Sequence, residues 1–281
     1  MVMRLKGIGR SRNVEDRRGR GGGGGGGAKI GGIGLLLVLA VGYFAGIDVT
    51  PLLQGQGGAP QATRAPNVGE ERAAEFSARV LATTEAVWRD VLPAQAGRDY
   101  RTPILVLYSG VTQSPCGGAS GASGPFYCPA DRKAYLDTEF VDTLARQLGA
   151  KGDFAAAYVI AHEMAHHVQN ELGILPEVNR MRQAVGTAEA NALTVRLELQ
   201  ADCLSGVWAR AVDGLLEPGD LEEALNAAKM IGDDHLQRRA GRQPNPHSFT
   251  HGTSAQRSRW FARGYESGEM ARCDTFGTDR L

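Results

Sequence analysis

Apolar side chains at Phe76, Val80, Leu81, Val87, Trp88 and Val91 recur at helical spacing, with Thr84 on the same stripe. That period predicts an amphipathic helix running from Gly69 up to Pro93. The pattern then shortens. PILVL at residues 103–107 is a brief β-branched and apolar run, and PFYC followed by KAYLD over residues 125–137 predicts two further strands. Helical periodicity resumes over about 138–149, 153–172, 187–213, 219–236 and 253–267, punctuated by Gly152, Gly173, Pro176 and Pro218. The expected fold class is α+β, mainly α, with a small sheet.

Upstream of this region the pattern differs. Residues 30–47, IGGIGLLLVLAVGYFAGI, form an eighteen-residue run without a charge, preceded by seven glycines, Gly21 to Gly27, and by Lys29. As a helix it would be roughly 27 Å long, enough for the hydrocarbon core of a bilayer. A cleaved signal peptide competes with this reading, but its basic region would be unusually long, and Tyr43 and Phe44 make a poor cleavage site. Residues 48–68 are rich in Gly, Pro and Gln without sustained periodicity and read as a tether. The expected organisation is a basic, Gly-rich cytoplasmic tail at 1–29, a transmembrane helix at 30–47, a linker at 48–68 and one folded domain at 69–281.

Charge supports that layout. The whole chain is neutral, yet residues 1–29 hold eight basic residues against Glu15 and Asp16, which leaves −6 on the remainder. A domain of that sign has no basic footprint for nucleic acid. By the positive-inside rule the N-terminus is expected in the cytoplasm, and the main domain outside, periplasmic or extracellular, as part of a single-pass protein of the cell membrane. No internal repeat and no phosphate-binding glycine loop occurs.

The most informative stretch is DFAAAYVIAHEMAHHVQNELG, Asp153 to Gly173, with Asp153 as a helix cap and Gly173 as a stop. His162 and His166, four residues apart on one helix face, can both offer an imidazole nitrogen to one ion. Glu163 sits about 100° round the helix, where it can act as general base on a water without being a ligand. This is an HExxH arrangement. Its bland alternative is a solvated or core-facing helix whose histidines bond nearby polar groups; the adjacent His167, off the line of the pair, is read as a supporting or surface histidine.

A catalytic zinc takes three protein ligands. No HExxHxxGxxH pattern follows His166, so the third should be a carboxylate from elsewhere. In RLELQADCLSGVWA, Glu198 and Asp202 share a helix face. Glu198 is assigned to the metal and Asp202 to the distal N–H of a ligand histidine, with Glu189 as fallback ligand; Glu171 lies too far along the motif helix.

HEMAHHVQN, ELQADCLSGVWA, HGTSAQRSRWFARGY and the upstream NVEDRRG together resemble the bacterial neutral zinc metallopeptidase family of membrane-anchored proteins, over nearly the whole chain. HExxH followed by ExxxD also resembles the gluzincin arrangement of the CAAX prenyl-protease and HtpX-type membrane peptidases, which implies Glu198 as third ligand. Those enzymes carry a later His-Pro-Ser segment followed by Arg. Here His251, Gly252, Thr253 and Ser254 precede Arg257, so His251 and Arg257 become candidate catalytic residues that stabilise the oxyanion, with Gly252 standing where the pattern has proline. A plain loop capping the helix from Ser254 is the alternative; His235 and His247 are unassigned. The resemblance further implies a zincin-like domain in which a strand near Ala134 to Asp137 borders the cleft and accepts an extended peptide, unless it is simply a core strand.

Four cysteines, Cys116, Cys128, Cys203 and Cys273, include no CxxC pair, so a cysteine zinc site is not expected. In an exported domain they suggest two disulfides. Sequence order favours Cys116 with Cys128 and Cys203 with Cys273, among three possible pairings. The resulting expectation is a single-pass zinc metalloendopeptidase with one Zn2+ per chain, acting on a peptide or protein substrate. The rival is a non-catalytic extracytoplasmic metal-binding or protein-interaction module, against which the intact Glu163 argues; a third reading is a metal-free structural envelope protein.

Overall fold

The computed structural model describes residues 3–19, 65–120, 124–141 and 153–281. The apolar run at 30–47 and most of the tether lie outside the described residues. Among the described residues no helix is long and apolar enough to cross a membrane.

The chain forms a mainly helical α+β unit around a small mixed sheet. Strand β1 (Val14–Asp16) precedes helix α1 (Val68–Ala96), then come β2 (Ile104–Tyr108), the hairpin β3 (Val111–Ser114) and β4 (Gly117–Ser120), then β5 (Phe126–Cys128) and β6 (Lys133–Asp137). The rest is helical: α2 (Phe154–Glu171), α3 (Ile174–Gln183), α4 (Thr187–Ala211), α5 (Asp220–Met230), α6 (Asp233–Arg239) and α7 (Ser254–Ser267). Helix α1 starts at a capping box, with Asn67 accepting from the Glu70 N–H and Glu70 accepting from the Asn67 N–H. It runs past Pro93 to a left-handed Gly97, because a proline in the last turn forfeits only one backbone bond and its carbonyl still accepts from Gly97.

The four-stranded sheet has the order β1-β2-β6-β5, with β1, β2 and β6 parallel and β5 antiparallel to β6. The period of two separates its faces. Leu105, Leu107, Ala134 and Leu136 point into the main core with the helices. Val106, Tyr108, Cys128 and Tyr135 form a second, smaller cluster on the other face. Cys128 is disulfide-bonded to Cys116, which pins the β3–β4 hairpin to the sheet edge.

Three expectations are corrected here. Folded structure does not begin at Gly69: residues 3–19 belong to the unit, with Val14, Glu15 and Asp16 in register with Leu105, Val106 and Leu107, and with Met3 and Leu5 buried. The arginines read as a free tail are partly spent inside it, since Arg18 bonds Asp16 and the Glu70 carbonyl, and Arg17 bonds Glu15. Strand β6 is a sheet strand flanked on both sides, by β2 along Lys133–Asp137 and by β5 along Lys133–Tyr135, so its Lys133–Tyr135 stretch offers no free edge to a peptide. The helix expected over 219–236 is two helices. Gly232 separates them, and a Cβ there would lie 2.3 Å from the Ser254 N, so close passage of the α7 entrance breaks the run. The helix expected at 138–149 starts at residue 138, and its continuation beyond 141 lies outside the described residues.

Helix α2 is buried from Phe154 through Gln169, enclosed by α1, α3, α4 and α5. Helices α4 and α7 cross with almost no separation: a Cβ on Gly206 would lie 2.1 Å from the Phe261 carbonyl oxygen, and one on Gly264 1.8 Å from that of Cys203. Only glycine permits this backbone contact. The crossing sets the ligand helix α4 against the loop and helix that follow residue 250.

Candidate metal centre

The motif helix α2 begins at Asp153, which does not cap it by a side-chain bond; its carboxylate instead accepts from the Met3 N–H. Within α2, His162 and His166 face the same side, their rings 4.8 Å apart and edge-to-face. Helix α4 brings Glu198 against them. His162 Nε2 lies 3.1 Å from Glu198 Oε2 and His166 Nε2 lies 3.4 Å from Glu198 Oε1. One ligand atom from each of the three residues falls within 4.8 Å of the other two.

The second nitrogen of each imidazole is also engaged. His162 Nδ1 lies 2.9 Å from Asp202 Oδ1, close but not aligned as a hydrogen bond. His166 Nδ1 is hydrogen-bonded to the Gln169 side-chain amide at 2.8 Å. Asp202 is fully buried and held from the far side: Tyr158 donates its hydroxyl at 2.6 Å, and Arg257 donates through Nε at 2.8 Å and Nη2 at 2.9 Å. Such contacts leave both Nε2 atoms turned towards the carboxylate of Glu198, as metal ligands require.

Electrostatics favour a cation at this point. Burial works against an imidazolium at His162, but Asp202 and Glu198 outweigh it and raise its pKa to about 10. Burial also opposes charge on Glu198, yet His166 and His162 hold its carboxyl well below the usual carboxylate range. Asp202 is likewise held low despite burial, by Arg257 and then His162. Two imidazoles and a carboxylate, drawn together around stabilised positive charge, fit a zinc ion by donor chemistry and by the acceptor oxygen that stands beside each distal nitrogen. Glu163, buried beside the pair, has its pKa raised by burial, partly offset by the two histidines.

The remaining sequence candidates fall into place. Glu189 is exposed in the first turn of α4, away from the cluster, and Glu171 pairs with Arg132 at 3.6 Å. His167 is buried and accepts from Tyr127 at Nδ1 while donating from Nε2 to the Arg101 carbonyl, so it ties α2 to the chain before β2; burial lowers its pKa. His247 is exposed on a short 3-10 turn. His251 keeps 42% of its side chain exposed, on a loop whose three amides, from Thr250, His251 and Gly252, all donate to Asp233 Oδ2. Arg257 is a correction in kind: its guanidinium is buried and committed to Asp202 and Tyr158, so it supports the ligand network and does not present a charge to a substrate oxygen. Thr253 caps α7 through a capping box with Gln256, as its sequence suggested.

Sequence reasoning missed Gln169, Tyr158 and Asp233. Gln169 lies three residues after His166, a spacing that places it on the same face; Asp233 had no local signal, since its partners are some twenty residues away. A second trio, Asp153, Asp220 and Glu223, also gathers among the described residues, but it is all carboxylate, and Asp153 and Asp220 already accept backbone N–H groups.

The disulfides are Cys116–Cys128 and Cys203–Cys273, the second joining the C-terminal segment to the ligand helix one turn beyond Glu198.

Comparison with known proteins agrees with this geometry. Residues 3–276 match the family described as "Putative neutral zinc metallopeptidase". The chain is 49% identical over 286 residues to "Uncharacterized protein YpfJ" of Escherichia coli K12, covering 98% of this chain and 99% of that one. It is 43% identical over 219 residues to "Uncharacterized protein Rv2575" of Mycobacterium tuberculosis and to "Uncharacterized protein Mb2605" of Mycobacterium bovis, covering 72% of this chain and 71% of each. No solved structure matches. With a motif helix, a carboxylate from a second helix and a match spanning nearly its whole length, the chain belongs to the neutral zinc metallopeptidase family.

Proposed function

We propose that the protein is a zinc-dependent endopeptidase in which His162, His166 and Glu198 hold one zinc and Glu163 is the general base. The observation that carries this reading is the convergence of three ligand atoms on one point beside a buried glutamate that is not itself among them. When bound, zinc polarises a scissile carbonyl and acidifies a water. Glu163 accepts a proton from the attacking water and delivers it to the departing amine, so the proton count balances across peptide-bond cleavage. Burial raises its pKa, which suits a group that must both take and return a proton. His251, half-exposed on the loop fixed by Asp233, is the side chain we assign to the oxyanion.

Residues 30–47 are proposed to attach the protein to a membrane, and the two disulfides support an oxidising, extracytoplasmic setting for the domain. The rival is a metal-binding interaction module without hydrolysis; Glu163 in its buried place favours the enzyme, because a purely structural site needs no base.

Incubation of the full chain with a fluorogenic unfolded protein such as labelled casein tests the reading. We expect zinc-dependent cleavage that drops at least 100-fold in Glu163→Gln while zinc content stays near one per chain. Equal cleavage by the variant would overturn the assignment of the base.

A further inference from the structure

We propose that Gln169 is the positioning residue of the metal centre, setting the tautomer of His166 and tying that ligand to the C-terminal segment. The proposal rests on the ligand set given above. Gln169 is fully buried. Its amide has one possible orientation, because Nε2 lies 2.8 Å from the Leu197 carbonyl oxygen, which can only accept. The Nε2 end must therefore face Leu197, and Oε1 must face His166. An amide oxygen can only accept, so His166 Nδ1 carries the proton, and its Nε2 keeps a free lone pair directed at the ligand cluster.

The orientation propagates. Gln169 Nε2 also donates to Gln200 Oε1 at 3.1 Å, and Gln200 Nε2 donates to the Cys273 carbonyl at 3.1 Å. Cys273 is bonded to Cys203 on α4. A line of donors thus runs from one metal ligand, through two buried amides, to the disulfide-held end of the chain. It is fixed by carbonyls that cannot reverse. Leu197 and Gln200 bracket Glu198 on α4, so the same amide that orients His166 also registers the helix carrying the third ligand.

The test is zinc affinity by chelator competition on the full chain. Gln169→Met keeps length and volume but removes the acceptor and both donors, and we expect affinity to fall about 10- to 100-fold. Gln169→Glu, which keeps an acceptor for His166, should recover part of that loss; Gln200→Met, one step removed, should lose less than Gln169→Met. Folded Gln169→Met with wild-type affinity would overturn the inference while leaving the zinc site standing, whereas wild-type protein that takes up no zinc would remove the site itself. If Gln169→Met does not fold, nitrogen NMR of His166 in zinc-loaded wild type decides: a protonated Nδ1 is expected, and a protonated Nε2 refutes it.

A separate observation carries a second inference: residues 3–19 and residues 65–281 lie on the same side of any membrane. Strand β1 is hydrogen-bonded to β2, and Ser11 and Asn13 both donate to the buried Glu85 on α1. Paired strands are roughly 4.8 Å apart, whereas the hydrocarbon core is about 30 Å thick. Residues 3–19 and the described residues from 65 onwards therefore share one compartment, which does not fit the expectation of a cytoplasmic N-terminus with the domain outside. Lys6→Cys and Asp279→Cys, both at exposed positions, should react alike with a membrane-impermeant maleimide in intact spheroplasts, both labelled or both protected, with both labelled after lysis. Labelling of one and protection of the other would overturn it.

Discussion

At the scale of single residues, the centre depends on which carboxylate completes the ligand set. Glu198 touches both histidines, and Glu189 is exposed a little over two turns earlier. Glu198→Ala should therefore purify with little or no zinc, and Glu189→Ala with the wild-type amount, as read by elemental analysis. A second residue-scale consequence concerns Asp137, buried at the end of β6, where burial raises its pKa to about 6 despite the amides of Glu139 and Gly110 that bond it. A carboxyl that binds its proton more tightly when folded favours the folded state at low pH and loses that contribution as pH rises from about 4 through about 6. Relative to wild type, Asp137→Asn should gain stability across that window, by up to about 3 kcal/mol, measured by urea unfolding at several pH values.

At the scale of elements, the periodicity of the chain carried α1, α2, α4 and α7, but not α3, which starts at Ile174 where Gly173 and Pro176 read as a break. The cap at Thr253 is a local device and lies where the residues suggest, whereas helix α1 runs past the expected stop at Pro93 to the left-handed Gly97. The division between α5 and α6, and the crossing of α4 with α7, are not local. Gly206 and Gly264 read as ordinary helical glycines until the two backbones meet over them. Gly264→Ala must force α7 off α4 and drag Arg257 away from Asp202. We expect a loss of at least about 3 kcal/mol in unfolding free energy, at the top of the usual overpacking range, together with weaker zinc binding. Gly214→Ala, whose Cβ would meet nothing within 4 Å, is the matched control and should change little.

At the scale of the whole molecule, two disulfides tie segments distant in sequence to the fold. Cys203–Cys273 spans 70 residues and Cys116–Cys128 spans 12. If loop-closure entropy dominates, removing the longer bridge by paired Cys→Ala substitution should cost about 1.5 kcal/mol more than removing the shorter one. The longer bridge also holds the segment whose Thr275 and Thr278 carbonyls accept from Arg196, two residues before Glu198. Its loss should therefore lower zinc affinity as well as melting temperature, whereas loss of the shorter bridge should lower melting temperature alone.

What the sequence by itself determined is whatever depends on spacing along one helix or on chemistry within a few residues. His162, Glu163 and His166 sit on one face because the α-helical period puts them there, and the Glu198–Asp202 pair shares a face for the same reason. Tertiary structure decided everything that required two distant segments to meet. It selected Glu198 as the carboxylate that reaches both histidines and turned Arg257 inward, because a buried Asp202 needs a compensating charge. It also drew residues 3–19 into the sheet, where three backbone pairings outweigh the basic composition that had suggested a free tail. Periodicity records how a segment faces its surroundings; it does not record which surroundings arrive, and the metal centre is made where they do.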